Sequence, residues 1–295
     1  MSARRVSLLA PLACLMGVAS FSIMDATMKM LSLGIGVYSA LLLRGLTGTL
    51  ITGTALVARS GLRLPPPKVL RLHILRGLVM TVMGWLFFLS LTLLPLAEAI
   101  SLSFIAPLVA LFLAAWLLKE TIPPTAILSA ILGLVGVGIV LSGRLSSTYG
   151  QEAIIGAAAI LSSAVLFGYS LVLQRQVAQQ APPVEMSFWQ NFVTFVALAP
   201  LAFFFLHLPE GTEWGWVVIS TLLVVNSQIC LGWAYARAPA SRLVPLEYSA
   251  FLWASLFGWL FFQEKLTMTV VLGAAVIVAA CLIATQSATK AEGKA

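Results

Sequence analysis

Charge is scarce in this sequence: only 9% of its 295 residues are Asp, Glu, Lys or Arg, against about a quarter in ordinary soluble domains. A chain with so few charges cannot keep a folded surface in water, which excludes a conventional soluble domain. The three cysteines, Cys14, Cys230 and Cys281, each sit inside an apolar run with no partners at hand. That excludes a disulfide framework and a cysteine-held zinc site. No Gly-rich phosphate loop runs into Lys and Ser or Thr, so nothing supports ATP-driven pumping by this chain. Clustered acidic and histidine residues of the metal-binding kind are missing, and no nucleophile lies near a base. The expectation is therefore a protein with no metal, no cofactor and no enzymatic activity.

What the chain has instead is apolar length. Hydrophobic residues make up 60% of it, and the mean hydropathy is +1.03. Since one transmembrane helix needs about 20 apolar residues, there is room for ten spans with short connections. Runs bounded by charge, Pro or Gly place them at 7–28, 36–58, 73–94, 96–118, 123–142, 153–174, 184–207, 214–235, 241–262 and 266–285. Within 77–118 the single charge is Glu98, and the stretch is twice a span, so Leu94-Pro95-Leu96 is expected to turn as a tight hairpin.

The net charge of +7 is distributed rather than patched. With the N-terminus inside, thirteen of the 17 basic residues fall in inner segments, three (Lys29, Arg144 and Lys265) in outer ones, and Arg44 lies within the second span. Positive residues favour the cytoplasmic side, so both termini are expected in the cytoplasm of a bacterial inner membrane. No basic patch is left to call for nucleic acid. The proline-stiffened loop from Arg59 to Arg76 reads as a topology anchor.

The two halves resemble one another at a shift of 144 to 146 residues. Phe21 meets Phe167, Lys29 meets Arg175 and Arg44 meets Gln190, while Pro95 meets Pro239, Ala106 meets Ala250 and Glu120 meets Glu264. The expected fold is all-α, a polytopic membrane protein whose residues 1–146 and 147–295 form two five-helix repeats. Because five is odd, the second copy enters the membrane from the opposite side. Inverted repeats of this kind belong to alternating-access transporters.

The segments AEAISLSFIAPLVALFLAAWLLKET, from Ala97 to Thr121, and ASRLVPLEYSAFLWASLFGWLFFQEKLT, from Ala240 to Thr267, share a small-residue start, an apolar run with Trp and a closing Glu. This pair resembles the signature of the EamA branch of the drug/metabolite transporter superfamily, and the resemblance extends over essentially the whole chain. It implies ten helices, two EamA units and export of amino acids and related metabolites, with the bacterial aromatic amino-acid exporters the most similar group. Glu120 and Glu264 match the closing glutamates of the family motif. Each precedes a Thr, so a structural role at the start of the next helix outweighs substrate contact.

Polar residues in hydrocarbon usually face the bundle interior. Helical spacing lines up Thr81, Trp85, Phe88 and Thr92; Ser163, Phe167, Ser170 and Gln174; and Asn226, Cys230, Trp233 and Arg237. These stripes mix hydroxyls, amides and rings, which suits a zwitterion with an apolar side chain, although each member alone can equally serve helix packing. Arg44 is half of an ion pair with Asp25 or Glu98, a bidentate partner for a substrate carboxylate, or a side chain that snorkels outward. Gln190 is its repeat-mate. Glu247 can hold a substrate ammonium or carry a proton, or else pair with Arg242 or Arg237, with Tyr248 as its neighbour on a pocket wall or simply packed. Asp25 and Lys29 read as an exposed i, i+4 pair without a transport role. His73 and His207 read as decoration of the membrane interface. The substrate-binding candidates are thus Arg44, Thr81, Trp85, Phe88, Ser163, Phe167, Gln190, Asn226, Trp233, Glu247 and Tyr248.

The expected partners are amino acids as small-molecule substrates and the lipid bilayer, and a monomer suffices because one chain supplies both halves. Efflux of drugs or other metabolites is the alternative function. A lipid scramblase or a membrane regulatory protein stands behind it.

Overall fold

In the computed structural model of the chain, residues 3–60, 64–106, 108–109, 112–113, 124–145, 151–178, 180–235, 237 and 246–292 are described. Among them every regular element is helical. The helices are α1 (Ala3–Ser60), α2 (Pro67–Leu93), α3 (Leu96–Ser103), α4 (Pro124–Leu145), α5 (Gln151–Ala178) and α6 (Pro183–Leu198). A 3-10 turn over Ala199–Leu201 leads into the short α7 (Ala202–Phe205), followed by α8 (Glu213–Tyr235), α9 (Ala250–Phe262) and α10 (Met268–Glu292). Five helical stretches, Leu9–Arg59, Pro67–Leu93, Gln151–Gln174, Pro183–Phe205 and Glu213–Ala234, are long and apolar enough to cross a membrane. Shorter apolar helices occur at Ile131–Val140, Ala250–Phe262 and Met268–Ala280.

α1 is two arms joined at Gly36, whose φ of 83° and ψ of 152° lie outside helical space. A residue with a Cβ is strained there, so glycine makes the fold-back possible. The first arm stays helical through residue 35, where the sequence suggests a loop from residue 29 onward. Lys29 is the reason for the difference, because a charge ends a buried helix only when it must reach water. Here it does not: Lys29 is 5% exposed and its Nζ donates to Glu264 Oε1 at 2.5 Å and to the Leu94 carbonyl at 2.8 Å. The Phe262 ring lies under the same ammonium, 4.8 Å away. The exposed Asp25–Lys29 pair expected from spacing is thereby corrected, since Asp25 is 3% exposed and Lys29 is committed elsewhere.

Leu94 adopts an extended conformation (φ −124°, ψ 153°) between α2 and α3, as the residue before a proline prefers. The hairpin at Leu94-Pro95-Leu96 forms as the sequence suggests. Its α3 start has no local side-chain cap; the Leu96 N–H instead donates to Glu264 Oε2 at 2.7 Å. One carboxylate therefore closes the end of α3 and holds the first arm of α1. Glu264 itself is placed by Gln263, whose left-handed φ of 54° ends α9. Glu264 thus has the structural role expected of it, with Lys29 and Leu96 as partners, and capping of the following helix is left to Thr267. Thr267 meets part of that need, its Oγ1 accepting from Val270 N at 3.4 Å. Glu120 lies outside the described residues.

The span expected over 96–118 is interrupted. α3 ends at Ser103, and Phe104 and Ile105 form a turn. The sequence explains this, because Pro107 supplies no N–H for the Ser103 carbonyl and its ring clashes with it. The second half repeats the feature: Tyr248 and Ser249 form a turn before α9, three residues after Pro245. Phe104 and Tyr248 are 144 residues apart in sequence, and their rings meet edge to face at 5.2 Å.

Packing follows small residues. α4 lies on α10, where a Cβ at Gly136 would stand 2.9 Å from the Gly273 carbonyl and 3.0 Å from Ile277 N. A Cβ at Gly273 would meet the Gly136 carbonyl at 2.8 Å and Val140 N at 2.9 Å. Backbone therefore touches backbone at this crossing, the close approach that glycine permits between apolar helices. The second arm of α1 crosses α6 in the same way, with a Cβ at Gly45 falling 3.2 Å from Phe195 N.

Two stability predictions follow from these contacts. Gly136→Val should destabilise by about 1–3 kcal/mol through overpacking, whereas Gly138→Ala should be neutral, since nothing lies within 4 Å of its added Cβ; thermal unfolding in detergent compares them. Glu264→Gln, which keeps an acceptor for Leu96 N, should cost about 3 kcal/mol by stranding Lys29, and Glu264→Leu should cost more. Equal melting temperatures for the two variants would show that the bond to Leu96 contributes nothing.

Candidate functional site

The breaks at Phe104–Ile105 and Tyr248–Ser249 lie where helices of both halves converge. Around them runs one continuous core containing Met24, Met28, Leu41, Phe88, Ile100 and Tyr248, with Phe104 and Phe251 packed against it. Interrupted helices free backbone polar groups, and these are tolerated at membrane depth only where protein or a water-lined cavity can satisfy them. Ser249 Oγ is buried at the second break with no hydrogen-bond partner. The paired breaks therefore bring polar groups to the interior of an otherwise apolar bundle.

Arg44, on the second arm of α1, enters this region from one side. Its guanidinium sits 5.2 Å from the Phe88 ring centroid and its Nη1 lies 3.6 Å from Met24 Sδ. Of the three expected roles, the ion pair is absent: among the described residues no carboxylate oxygen comes within 4.0 Å of it. Asp25 nevertheless lies close enough for the two charges to act on each other. Asp25 is deeply buried and its Oδ1 has no hydrogen-bond partner.

Threonines cross-link the middle of the bundle twice. Thr47 Oγ1 and Thr221 Oγ1 are 2.7 Å apart, joining α1 to α8. Thr81 Oγ1 and Thr194 Oγ1 are 2.9 Å apart, joining α2 to α6. Thr194 follows Thr47 by 147 residues and Thr221 follows Thr81 by 140, so the two links join corresponding helices of the two halves, displaced from the repeat register by one residue and by about a helical turn. Sequence reasoning found Thr81 by its helical phase and missed the other three. The internal shift of 144 to 146 sets Thr47 against residues 191–193 and Thr81 against 225–227, so comparing the halves in that register does not find them.

The remaining candidates are dispersed. Ser163 is 1% exposed and its Oγ donates to the Met83 carbonyl at 3.0 Å, tying α5 to α2. Trp85 and Phe167 are 51% and 38% exposed, because the buried face of α2 runs through Thr81, Gly84, Phe88 and Leu91 and leaves Trp85 beside it. Gln190 is half-buried on α6. Asn226 Nδ2 donates to Ser20 Oγ at 2.9 Å. The Trp233 ring carries the Arg237 guanidinium at 4.2 Å, which leaves that arginine near the end of α8. Glu247 is half-buried and acts electrostatically on Cys14 of α1; the arginine Arg242 proposed beside it lies outside the described residues. Arg44 and Phe88 thus meet in the core that also holds Tyr248, while Asn226 and Glu247 lie beside Ser20 and Cys14 of the first arm of α1.

His73 corrects an expectation. It is 1% exposed, its Nε2 is 3.2 Å from Glu185 Oε1, and it stacks on Trp189 at 5.9 Å. One helical turn away, Arg76 Nη2 donates to Gln174 Oε1 at 3.2 Å. These groups staple α2 to α5 and α6. His207 is exposed as expected. No group of three or more His, Cys, Asp or Glu side chains placed to hold a metal occurs among the described residues.

The profile of the EamA-like transporter family matches this chain twice, over residues 8–142 and 154–286. The pseudopaline exporter CntI of Pseudomonas aeruginosa is 25% identical over 264 residues, covering 89% of this chain and 91% of that protein. An S-adenosylmethionine uptake transporter of Rickettsia felis is 25% identical over 226 residues, covering 74% of this chain and 73% of its own length. A crystal structure with 22% sequence identity superposes with a TM-score of 0.61 over 97% of this chain and 98% of its own, a likeness of fold. With both of its halves matched by the profile, the chain belongs to the EamA-like transporter family and is a membrane transporter.

Proposed function

We propose that this protein is a secondary exporter of amino acids, broad in range and including aromatic and other apolar ones, working by alternating access in a bacterial inner membrane. The observation that carries this reading is the pair of helix breaks, 144 residues apart in sequence and in contact through Phe104 and Tyr248. Discontinuous helices at corresponding places in two halves are where secondary transporters bind substrate. The two threonine links add a second pair, between corresponding helices of the two halves. In this reading the chain has ten spans in two inverted repeats, residues 1–146 and 147–295, with both termini in the cytoplasm, and one chain suffices.

The Lys29–Glu264 pair and the Leu94 hairpin then lie at the outer side. From Ser22 to Ser32 the first arm of α1 is buried on almost every face, while Leu12 and Met16 are 55% and 62% exposed. That contrast fits a state closed at its outer end. Opening must separate Glu264 from Lys29 or move the two together as a rigid unit. Since an ion pair out of water is costly to break, rigid movement of α9, α3 and the first arm of α1 is the cheaper route. An apolar substrate side chain would lie against Phe88, Trp85, Phe167 and Tyr248, with Thr81, Ser163, Gln190, Asn226 and Trp233 lining the path. Glu247, toward the cytoplasmic end, is the candidate proton carrier.

Export of other metabolites is the second reading, favoured by the name of the pseudopaline exporter, which shares most of its length with this chain. Purified protein in liposomes, offered labelled aromatic, aliphatic, polar and charged amino acids, distinguishes the two. We expect saturable uptake of aromatic and aliphatic amino acids, and folded protein that takes up none of the panel would overturn the amino-acid reading. Tyr248→Ala should lower the rate at least about tenfold if the breaks form the binding site. Under an imposed pH gradient, Glu247→Gln should abolish any acceleration; an unchanged response removes the proton role from Glu247.

A further inference from the structure

Asp25 is the buried charge that the fold leaves unanswered. It is 3% exposed on the fully enclosed stretch of α1. Its carboxylate makes no hydrogen bond and no ion pair among the described residues, and Oδ1 is sealed from solvent. The lysine one turn along the helix, Lys29, is consumed by Glu264 and Leu94. A buried carboxylate without partners is expensive, and such groups inside membrane proteins usually mark a ligand or ion path.

Arg44 is the complementary case. Its guanidinium has five donors, yet its contacts are the Met24 sulfur, a weak acceptor, at 3.6 Å and the Phe88 ring face. Met24 precedes Asp25 in the chain, so the guanidinium reaches the neighbouring residue and still stops short of the carboxylate. The two opposite charges feel one another but stand beyond the 4.0 Å of an ion pair. A pair that served only packing would close this gap, because direct contact recovers desolvation that separation wastes.

We infer that Asp25 and Arg44 are the two poles of a zwitterion site, Asp25 taking the ammonium of an amino acid and Arg44 its carboxylate. The inference rests on the amino-acid reading above and adds to it the residue that selects for the ammonium. An α-amino acid carries both charges on adjacent groups, so it satisfies the two poles at once and needs no counter-ion. The thioether of Met24 and the ring of Phe88 supply an apolar floor between them. A cation alone would satisfy Asp25 and leave Arg44 unmatched; an anion alone would do the reverse.

The test is competition against labelled L-phenylalanine on the purified full-length protein, with three competitors: L-phenylalanine, 3-phenylpropanoate, which lacks the ammonium, and L-phenylalaninamide, which lacks the carboxylate. Wild type should bind each truncated compound at least about tenfold more weakly than phenylalanine, because a buried charge is left unmatched. Asp25→Asn should lose the penalty against 3-phenylpropanoate and keep the one against the amide, and Arg44→Gln should show the opposite pattern. A purely structural role would lower all three affinities together. Asp25→Asn that still discriminates fully against 3-phenylpropanoate overturns the assignment, as does a wild type that binds phenylalanine and 3-phenylpropanoate equally. If Asp25→Asn does not fold, Asp25→Ser is judged by the same criteria. Absence of saturable binding for phenylalanine and for every other amino acid in wild type overturns the amino-acid reading itself, a result distinct from failure of the Asp25 assignment.

Discussion

One carboxylate organises one end of this bundle. Glu264 takes the Lys29 ammonium with one oxygen and the Leu96 N–H with the other, so three segments remote in sequence are held at a point. In water such a pair would contribute little. Out of water its members cannot be left apart, because each alone is a buried charge. The consequences spread from there: the first arm of α1 runs on as helix past Lys29, the Leu94 hairpin is pinned, and Asp25 loses the partner that its spacing offered.

The same accounting of polar groups shapes the interior. Where the chain runs as unbroken helix, every backbone group is satisfied locally, and hydroxyls return to the carbonyl a turn back, as Thr81 does to Gly77 and Thr49 to Gly45. Where it is interrupted, at Phe104 and Tyr248, an aromatic pair joins the two breaks in the core. That these interruptions fall at matching places in the two halves gives the transporter a symmetric weak point.

Much of this was legible from the residues. Low charge and long apolar runs specify helices in a bilayer, Pro95 specifies the hairpin, and the internal shift of 144 to 146 residues anticipates two matching halves, though not the breaks within them. The family motif points to the transporter class, which the profile matches bear out. One helical stripe was half right: Thr81 and Phe88 share the buried face of α2 with Gly84, whereas Trp85 lies 51% exposed beside it. A period of 3.6 residues fixes which residues share a face, and only the neighbouring helix decides where that face ends.

What the sequence determined by itself is what depends on local chemistry: helix, hairpin and repeat. What only the tertiary structure decided is which charge answers which. Lys29 was four residues from Asp25 and 235 from Glu264, and it pairs with the distant one; His73 lay at a helix end and is buried against Glu185; Arg44 had two carboxylates in prospect and contacts neither. The physical reason is that ion pairing in a low-dielectric interior is set by distances between helices, which a local pattern does not encode, and by the strong penalty on any charge that packing leaves alone.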